Sequence, residues 1–377
     1  MTIRTYDVVI VGAGIVGTAC AHECARAGMR VAVVDQEMVG SGATAAGMGH
    51  IVVMDDSEAQ FALTRYSQQL WQELRPELPA EVEYEQCGTV WVAADEQEMQ
   101  EVRRKQSYYS RNGVPAEVLS SSELEHLEPN LRKGMAGGLL VCEDGVLYPP
   151  CAAQILMDRA GAQGASLHQG VAVAKTGKGR VTLVDGSEFS SATVVNAAGA
   201  ASPALTPGIG VKKRKGHLAI TDRYPGFVRH QLVELGYLKS AHSSGADSVA
   251  FNVQPRKTGQ VLIGSSRQYG VEDGEVDHAI LGRMLERAQQ YMPAIAQTSA
   301  LRVWTGFRAA TPDKLPLIGP WPEDSTLYLA TGHEGLGITT SLATARLLVD
   351  QLTGERSAIP VEPYLPSRVA SLENVHA

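Results

Sequence analysis

DVVIVGAGIVGTACAHECARAGMRVAVVD, residues 7–35, decides the fold. Val8 to Val11 is a β-branched run of the kind that forms a strand buried on both faces. GAGIVG follows without a spacer. TACAHECARAG is alanine-rich and closes on Gly28, which predicts a helix with a glycine C-cap. RVAVVD, residues 30–35, is a second buried strand. Parallel strands need a crossover, and this strand–helix–strand unit has one.

The glycines inside the unit carry its chemistry. Gly12, Gly14 and Gly17 are spaced G-x-G-x-x-G. Gly12 permits the tight turn, Gly14 lets the backbone approach a pyrophosphate, and Gly17 lets the helix pack closely on the strand. The helix N-terminus offers unpaired N–H groups and a partial positive charge. Asp35, at the end of the second strand, stands where a carboxylate accepts hydrogen bonds from the adenosine ribose. The motif predicts a dinucleotide and leaves FAD and NAD both open.

The rest of the chain bounds the answer. Its 377 residues exceed what one core organises, so two lobes are expected. The net charge of −8 disfavours a nucleic-acid partner. Lys212, Lys213, Arg214 and Lys215 are the densest positive cluster, and the sequence reads them as a solvated turn between two strands. The five cysteines are scattered, so they form no disulfide framework or metal-ligand set, and a reducing compartment fits. Cys20 and Cys24 read as small apolar residues packing a helix on a sheet. No apolar run reaches the ~20 residues of a transmembrane helix. A cytoplasmic protein is expected, or one brought to a membrane by a partner.

Helices are predicted at 57–75, 95–111, 121–128, 150–164, 278–291 and 339–353, the last closed by Gly354. GTVWVAA alternates like a half-buried strand, and residues 216–270 are rich in strand-like segments. The polar tail after Pro366 is expected to fray.

Five segments in register with the N-terminal unit then carry a resemblance: GSGATAAGMGH (40–50), VVNAAGAAS (194–202), QPRKTGQVLIGSS (254–266), WTGFRAATPDKLPLIGP (304–320) and LYLATGHEGLGI (327–338). Together they resemble the D-amino-acid oxidase / glycine oxidase superfamily over essentially the whole chain. The nearest look is to glycine oxidase and to β-type subunits of amino-acid dehydrogenases acting on D-hydroxyproline or proline. The resemblance implies an α/β plus α+β fold, an FAD-binding Rossmann-like domain with an inserted antiparallel-sheet substrate domain. Residues 1–83, 146–212 and 300–377 would form the former, and 84–145 and 213–299 the latter.

It also implies roles. Gly12, Ala13, Gly14, Ile15, Val16, Gly17, Asp35 and Gln36 would hold the adenosine and pyrophosphate. Ser41, Gly42, Thr44, Ala45, Ala46, Gly47 and Met48 would run along the pyrophosphate and ribityl chain to the isoalloxazine. Val171, on a strand, would meet the adenine, and Ala197 and Gly199 would flank the dinucleotide. Gly332, His333, Gly335, Leu336, Gly337, Ile338 and Thr339 would wrap the pyrimidine side of the flavin, where helix-terminus amides stabilise negative charge. Thr44 stands where some relatives carry a flavin-linked histidine, so the FAD is expected to be non-covalent.

Arg308 is the implied carboxylate ligand, since a guanidinium fork matches a carboxylate bidentately. On residue type alone it better suits a strand arginine pairing with a surface acid such as Asp313. Ala309 departs from the proline common after this arginine. Met48, His50, Phe251 and Arg267 are the remaining pocket candidates.

The activity implied is FAD-dependent oxidation of an amino acid or amine by hydride transfer to the flavin, giving an imine. The substrate expected is a D-amino acid or a cyclic secondary amino acid such as D-hydroxyproline. Two alternatives stay open: a flavin-binding subunit with little activity alone, and a glycine/sarcosine oxidase-type activity. If electrons leave for partner subunits, those partners must supply the relay. A pyridine-nucleotide reductase would need a second glycine motif and a redox cysteine pair, and neither is present.

Overall fold

The computed structural model describes residues 4–236 and 247–369. Of the tail after Pro366, residues 370–377 lie outside the described residues. Two large sheets organise the chain. The first contains β1 (Arg4–Val11), β2 (Val31–Asp35), β8 (Ser166–Gln169), β9 (Val173–Gly177), β10 (Arg180–Leu183), β11 (Glu188–Asn196), β17 (Leu317–Trp321) and β18 (Asp324–Thr331). The second contains β4 (Thr89–Ala93), β5 (Ala116–Ser120), β6 (Gly137–Val141), β12 (Lys212–Thr221), β13 (Gln231–Glu234), β14 (Ser248–Pro255), β15 (Val261–Tyr269), β16 (Ala300–Ala310) and β19 (His333–Glu334). β3 (His50–Ile51) and β7 (Gly145–Val146) pair separately. The helices are α1 (Ile15–Arg26), α2 (Ala43–Ala46), α3 (Glu58–Leu74), α4 (Glu96–Arg111), α5 (Ser121–Leu127), α6 (Pro149–Ala162), α7 (Ser202–Leu205), α8 (His278–Tyr291) and α9 (Gly337–Thr353).

The first sheet follows from the opening unit. β1 pairs in parallel with β2 and with β11, and β11 continues in parallel to β18. Successive side chains serve two cores. Val8, Ile10, Val31 and Val33 pack with Ala19, Cys20 and Cys24 of α1, Leu156 of α6 and Leu347 of α9. Val9, Val11, Ala32 and Val34 pack with Val181, Phe189 and Leu329. A sheet covered on both faces explains the unbroken apolar runs. Burial pushes the Cys24 thiol up to about 12, which suits a packing role for it.

The second sheet is antiparallel except for the β4–β13 pair, and its order is β19-β16-β12-β15-β14-β13-β4-β6-β5. Phe251, Val253, Val261 and Ile263 bury one face against Leu281, Met284 and Ala288 of α8. The opposite face borders the cavity described below.

Two expectations are corrected. Residues 212–215 are not a solvated turn. They begin β12, a central strand between β16 and β15, where Arg214 and Lys215 are 4% and 2% exposed. Carboxylates distant in sequence neutralise them: Arg214 pairs with Glu334, and Lys215 with Asp273 at 2.9 Å. The lobe boundary at residue 300 also runs differently. β16 pairs along its length with β12, so residues 300–310 belong to the second sheet.

Candidate active site

A cavity of about 640 Å³ runs from the glycine turn after β1, past α2 and the loop before α9, to the inner face of the second sheet. At its nucleotide end the turn is fixed by close contacts. Gly12 has φ +111°, and a Cβ there would stand 2.5 Å from the Ala197 carbonyl oxygen. A Cβ on Gly17 would stand 1.9 Å from the Gly12 oxygen, which is why α1 can lie so near the strand. Asp35 accepts hydrogen bonds from the Ala13 amide at 2.6 Å and the Glu37 amide at 2.8 Å. A carboxylate has about four acceptor directions, so Asp35, on the cavity wall, retains capacity for ribose hydroxyls. Thr44 Oγ1 takes the Ile15 amide at 3.0 Å. Gly12, Gly14, Ile15 and Val16 of this turn line the cavity.

The middle is built from two loops. Ser41, Gly42, Thr44, Ala46, Gly47 and Met48 line one wall. Ala46 is held by β16, whose Trp304 Nε1 donates to its carbonyl at 3.3 Å. Gly332, His333, Gly335, Leu336, Gly337 and Ile338 line another. α9 starts at Gly337, earlier than expected, with no side-chain cap and no acid in its first turn. First-turn amides without a cap suit the electron-rich end of a ring system. His333 Nε2 shares a 2.9 Å hydrogen bond with Thr344 Oγ1, and burial lowers its pKa to about 3, so it is neutral.

Arg308 lies where these loops meet the second sheet. Its Nη1 donates to the Ser266 carbonyl at 3.0 Å, and the guanidinium passes over Gly216, where a Cβ would stand 2.3 Å from Nη1. Asp313, the alternative partner, is bound by Arg368 at 2.7 Å instead. His50 lines the same space. Burial lowers its pKa to about 4, and the Arg308 charge acts in the same direction while a Gln254 hydrogen bond opposes it. The imidazole is therefore neutral near pH 7.

The remaining expected residues divide. Asp35, Gln36, Ala197, Gly199 and Arg267 line the cavity. Ala13, Gly17 and Thr339 stand behind it; Thr339 Oγ1 donates to the His50 carbonyl at 2.8 Å. Ala45 is exposed and off the cavity wall. Val171 is not on a strand: it joins β8 to β9, and its amide donates to the Asp35 carbonyl at 3.1 Å. Phe251 is turned away from the cavity. It is fully buried in the α8 core, stacked on Tyr291 at 4.5 Å between centroids. Its neighbour Asn252 lines the cavity instead, because one step along a strand changes face. Thr89, Trp91, Gln231 and Ser265 also line it and were not anticipated. The alternation of GTVWVAA already placed Thr89 and Trp91 on one face.

The donor set fits FAD: an anion-binding turn, a carboxylate for the ribose, and a second helix N-terminus at the far end. The profile of the FAD dependent oxidoreductase family (DAO) matches residues 7–351. The chain belongs to this family. As a DAO family member it uses FAD and acts on amino-acid or amine donors. The glycine oxidase of Geobacillus kaustophilus is 28% identical, covering 96% of this chain and 97% of that protein. The hydrogen cyanide synthase subunit HcnC of Pseudomonas aeruginosa is 27% identical, covering 97% and 96%. The crystal structure of the Geobacillus kaustophilus glycine oxidase superposes with a TM-score of 0.86 at 26% identity, over 96% of this chain and 98% of that one. Among the described residues of this DAO protein, no helix is long and apolar enough to cross a membrane.

Proposed function

We propose that the protein oxidises an α-amino carboxylate whose carboxylate binds Arg308. The observation that carries this is the Arg308 guanidinium held over Gly216 at the cavity, with Asp313 engaged elsewhere. When bound, FAD would supply the acceptor for the hydride of the substrate α-carbon, and the imine so formed would be released to hydrolysis by water. The chain's own residues position and shield. Arg308 fixes the carboxylate and so the direction of the α-C–H bond. Met48 and Leu218, packed with Leu262, make part of the same cavity wall apolar. Neutral His50 adds no competing charge. Asp35 and the Gly12–Gly17 turn would hold the adenosine and pyrophosphate, and the 332–338 loop the pyrimidine side of the flavin.

Within this class the substrate is a D-amino acid or a cyclic secondary amino acid such as D-hydroxyproline. The glycine oxidase relative favours a second reading, a glycine/sarcosine oxidase-type activity. The subunit relative supports transfer of electrons to partner subunits. The test is Arg308→Met. FAD content stays at the wild-type level, while anaerobic flavin reduction by amino acids loses on the order of 10²–10⁴-fold in efficiency, as two charge-assisted hydrogen bonds imply. Unchanged efficiency removes Arg308 from the site.

A further inference from the structure

Beyond Arg308 the inner face of the second sheet becomes polar. Gln231 on β13 stands directly opposite Thr89 on β4, and Asn252 on β14 opposite Val233 on β13, which faces Trp91 on β4. All five residues line the cavity, and Gln60 of α3 joins them. Five of these side chains hold a buried polar atom with no partner: Gln60 Oε1, Thr89 Oγ1, Trp91 Nε1, Gln231 Oε1 and Asn252 Oδ1. Gln231 is 2% exposed and Asn252 7%. Each buried polar group left unsatisfied opposes folding. Such a concentration in one compartment marks a place for a hydrogen-bonding guest, water in the free protein and a ligand group in the complex.

The compartment's distance from Arg308 is set by strand spacing. The guanidinium reaches the Ser266 carbonyl on β15. β14, β13 and β4 are the next three strands, about 5, 10 and 15 Å across the sheet, and Asn252, opposite Gly264, is also about 7 Å along β15 from Ser266. A substituent on the side chain or ring of a carboxylate-anchored amino acid reaches toward Asn252 first, with Gln231 and Thr89 behind it, directly or through a bridging water. Its chemistry follows from the lining, which is three carboxamides, a hydroxyl and an indole N–H, with no charged side chain among them. Asp56 reaches the cavity, but it is exposed. Arg267 pairs in register with Ser248, whereas Gly264 faces Asn252, so Arg267 lies about 10 Å further along β15. A carboxamide presents either its oxygen or its N–H₂ to a guest, so hydroxyl and amide substituents both find a match.

We infer that Asn252, Gln231 and Thr89 form a specificity subsite for a neutral hydrogen-bonding substituent of the substrate, a hydroxyl or carboxamide. This rests on the amino-carboxylate reading above. A site built to hydrogen-bond such a group discriminates against the analogue lacking it, because the site's polar atoms are then left unpaired.

Matched pairs test it on the FAD-loaded protein: 4-hydroxyproline with proline, asparagine with leucine, and threonine with valine, each as D and L isomers. The efficiency of anaerobic flavin reduction is expected to favour the polar member of the best pair at least ~10-fold, about the value of one hydrogen bond. Asn252→Leu and Gln231→Leu, with FAD content unchanged, abolish that preference, read as the ratio of the two efficiencies within each variant. A second readout needs no turnover. Spectral titration of the bound flavin with butyrate and 4-hydroxybutyrate should show tighter binding of the hydroxy acid to wild type and equal binding to Asn252→Leu. Equal use of apolar members, a preference retained in both variants, or aspartate exceeding asparagine overturns the proposal. If no amino acid reduces the flavin, the reading beneath it fails, and the butyrate pair still decides whether the polar subsite exists.

Discussion

Gly216→Ala isolates the aim of Arg308 from its presence. Gly216 sits in β12 opposite Gly306, in backbone that alanine also adopts. The added methyl would stand 2.3 Å from Arg308 Nη1 and 2.9 Å from Cζ and Nη2. Ordinary contact distances begin near ~3.5 Å, so the guanidinium must retreat by about 1 Å. It is the far end of a flexible side chain, so the fold can yield. Removing a glycine from the unfolded chain gains ~0.4–1 kcal/mol, so stability should hold or rise slightly. Displacing a positioning group by 1 Å costs on the order of 10²-fold in rate, or ~2.7 kcal/mol of transition-state binding. The assay is stopped-flow anaerobic flavin reduction against substrate concentration, with melting temperature and FAD content measured in parallel. Gly161→Ala is the control: Gly161 lies in α6 and a Cβ there meets nothing within 4 Å. It should melt higher and react as wild type does. Gly216→Ala within threefold of wild type, in a folded and FAD-replete protein, refutes the placement of Arg308.

Three further outcomes follow from the same geometry. Gly17→Ala drives a methyl to within 1.9 Å of the Gly12 carbonyl oxygen, both of them backbone-fixed, so the protein should purify without yellow colour; stoichiometric FAD in that variant contradicts the turn. His50 and His333 are held by burial at about 4 and about 3, below the ordinary 6.5, so the unfolded chain takes up their protons first. Stability present above pH 6.5 is then lost as pH falls toward those values, with ~1.4 kcal/mol per pH unit for each histidine. Urea unfolding of wild type and His333→Asn at pH 7.5 and 5 should show a shallower decline in the variant, and parallel declines contradict the assignment. Burial raises Asp144 from 3.8 to about 7, so it opposes folding increasingly as pH rises from about 4 to 7. Asp144→Asn keeps an acceptor for the Val53 amide and Gln68 and should gain on the order of 1–3 kcal/mol at pH 8 and nothing at pH 4; no gain at pH 8 counts against burial having raised the Asp144 carboxyl.

The first sheet was legible because its signal is local. Residues 7–35 carry turn, helix and flanking strands in one stretch, and the expected helices appear with ends shifted by a few residues. RVWTGFR, residues 302–308, has the pattern of a strand, yet its sheet could not be assigned, since pairing with β12 is a long-range event. Residues 212–215 misled because their counter-charges, Asp273 and Glu334 among them, come from distant segments. Phe251 and Asn252 show a sharper limit. The inward face of β14 is set by α8 on one side and the cavity on the other, and a one-residue difference exchanges a core aromatic for a pocket amide. The polar compartment was illegible for the same reason, because its residues sit on three strands and a helix that only the folded sheet brings together.

The central claim is that the cavity joins FAD to a carboxylated amine through Arg308. The most direct measurement is the absorbance of the bound flavin in the anaerobic wild-type protein, challenged with D-, L- and cyclic amino acids and, in parallel, with the corresponding amines lacking the carboxylate. The account predicts bleaching by at least one amino acid and a response at least ~10²-fold weaker to its decarboxylated counterpart. Bleaching by the amine as readily as by the amino acid, or no bleaching by any carboxylated amine, contradicts it.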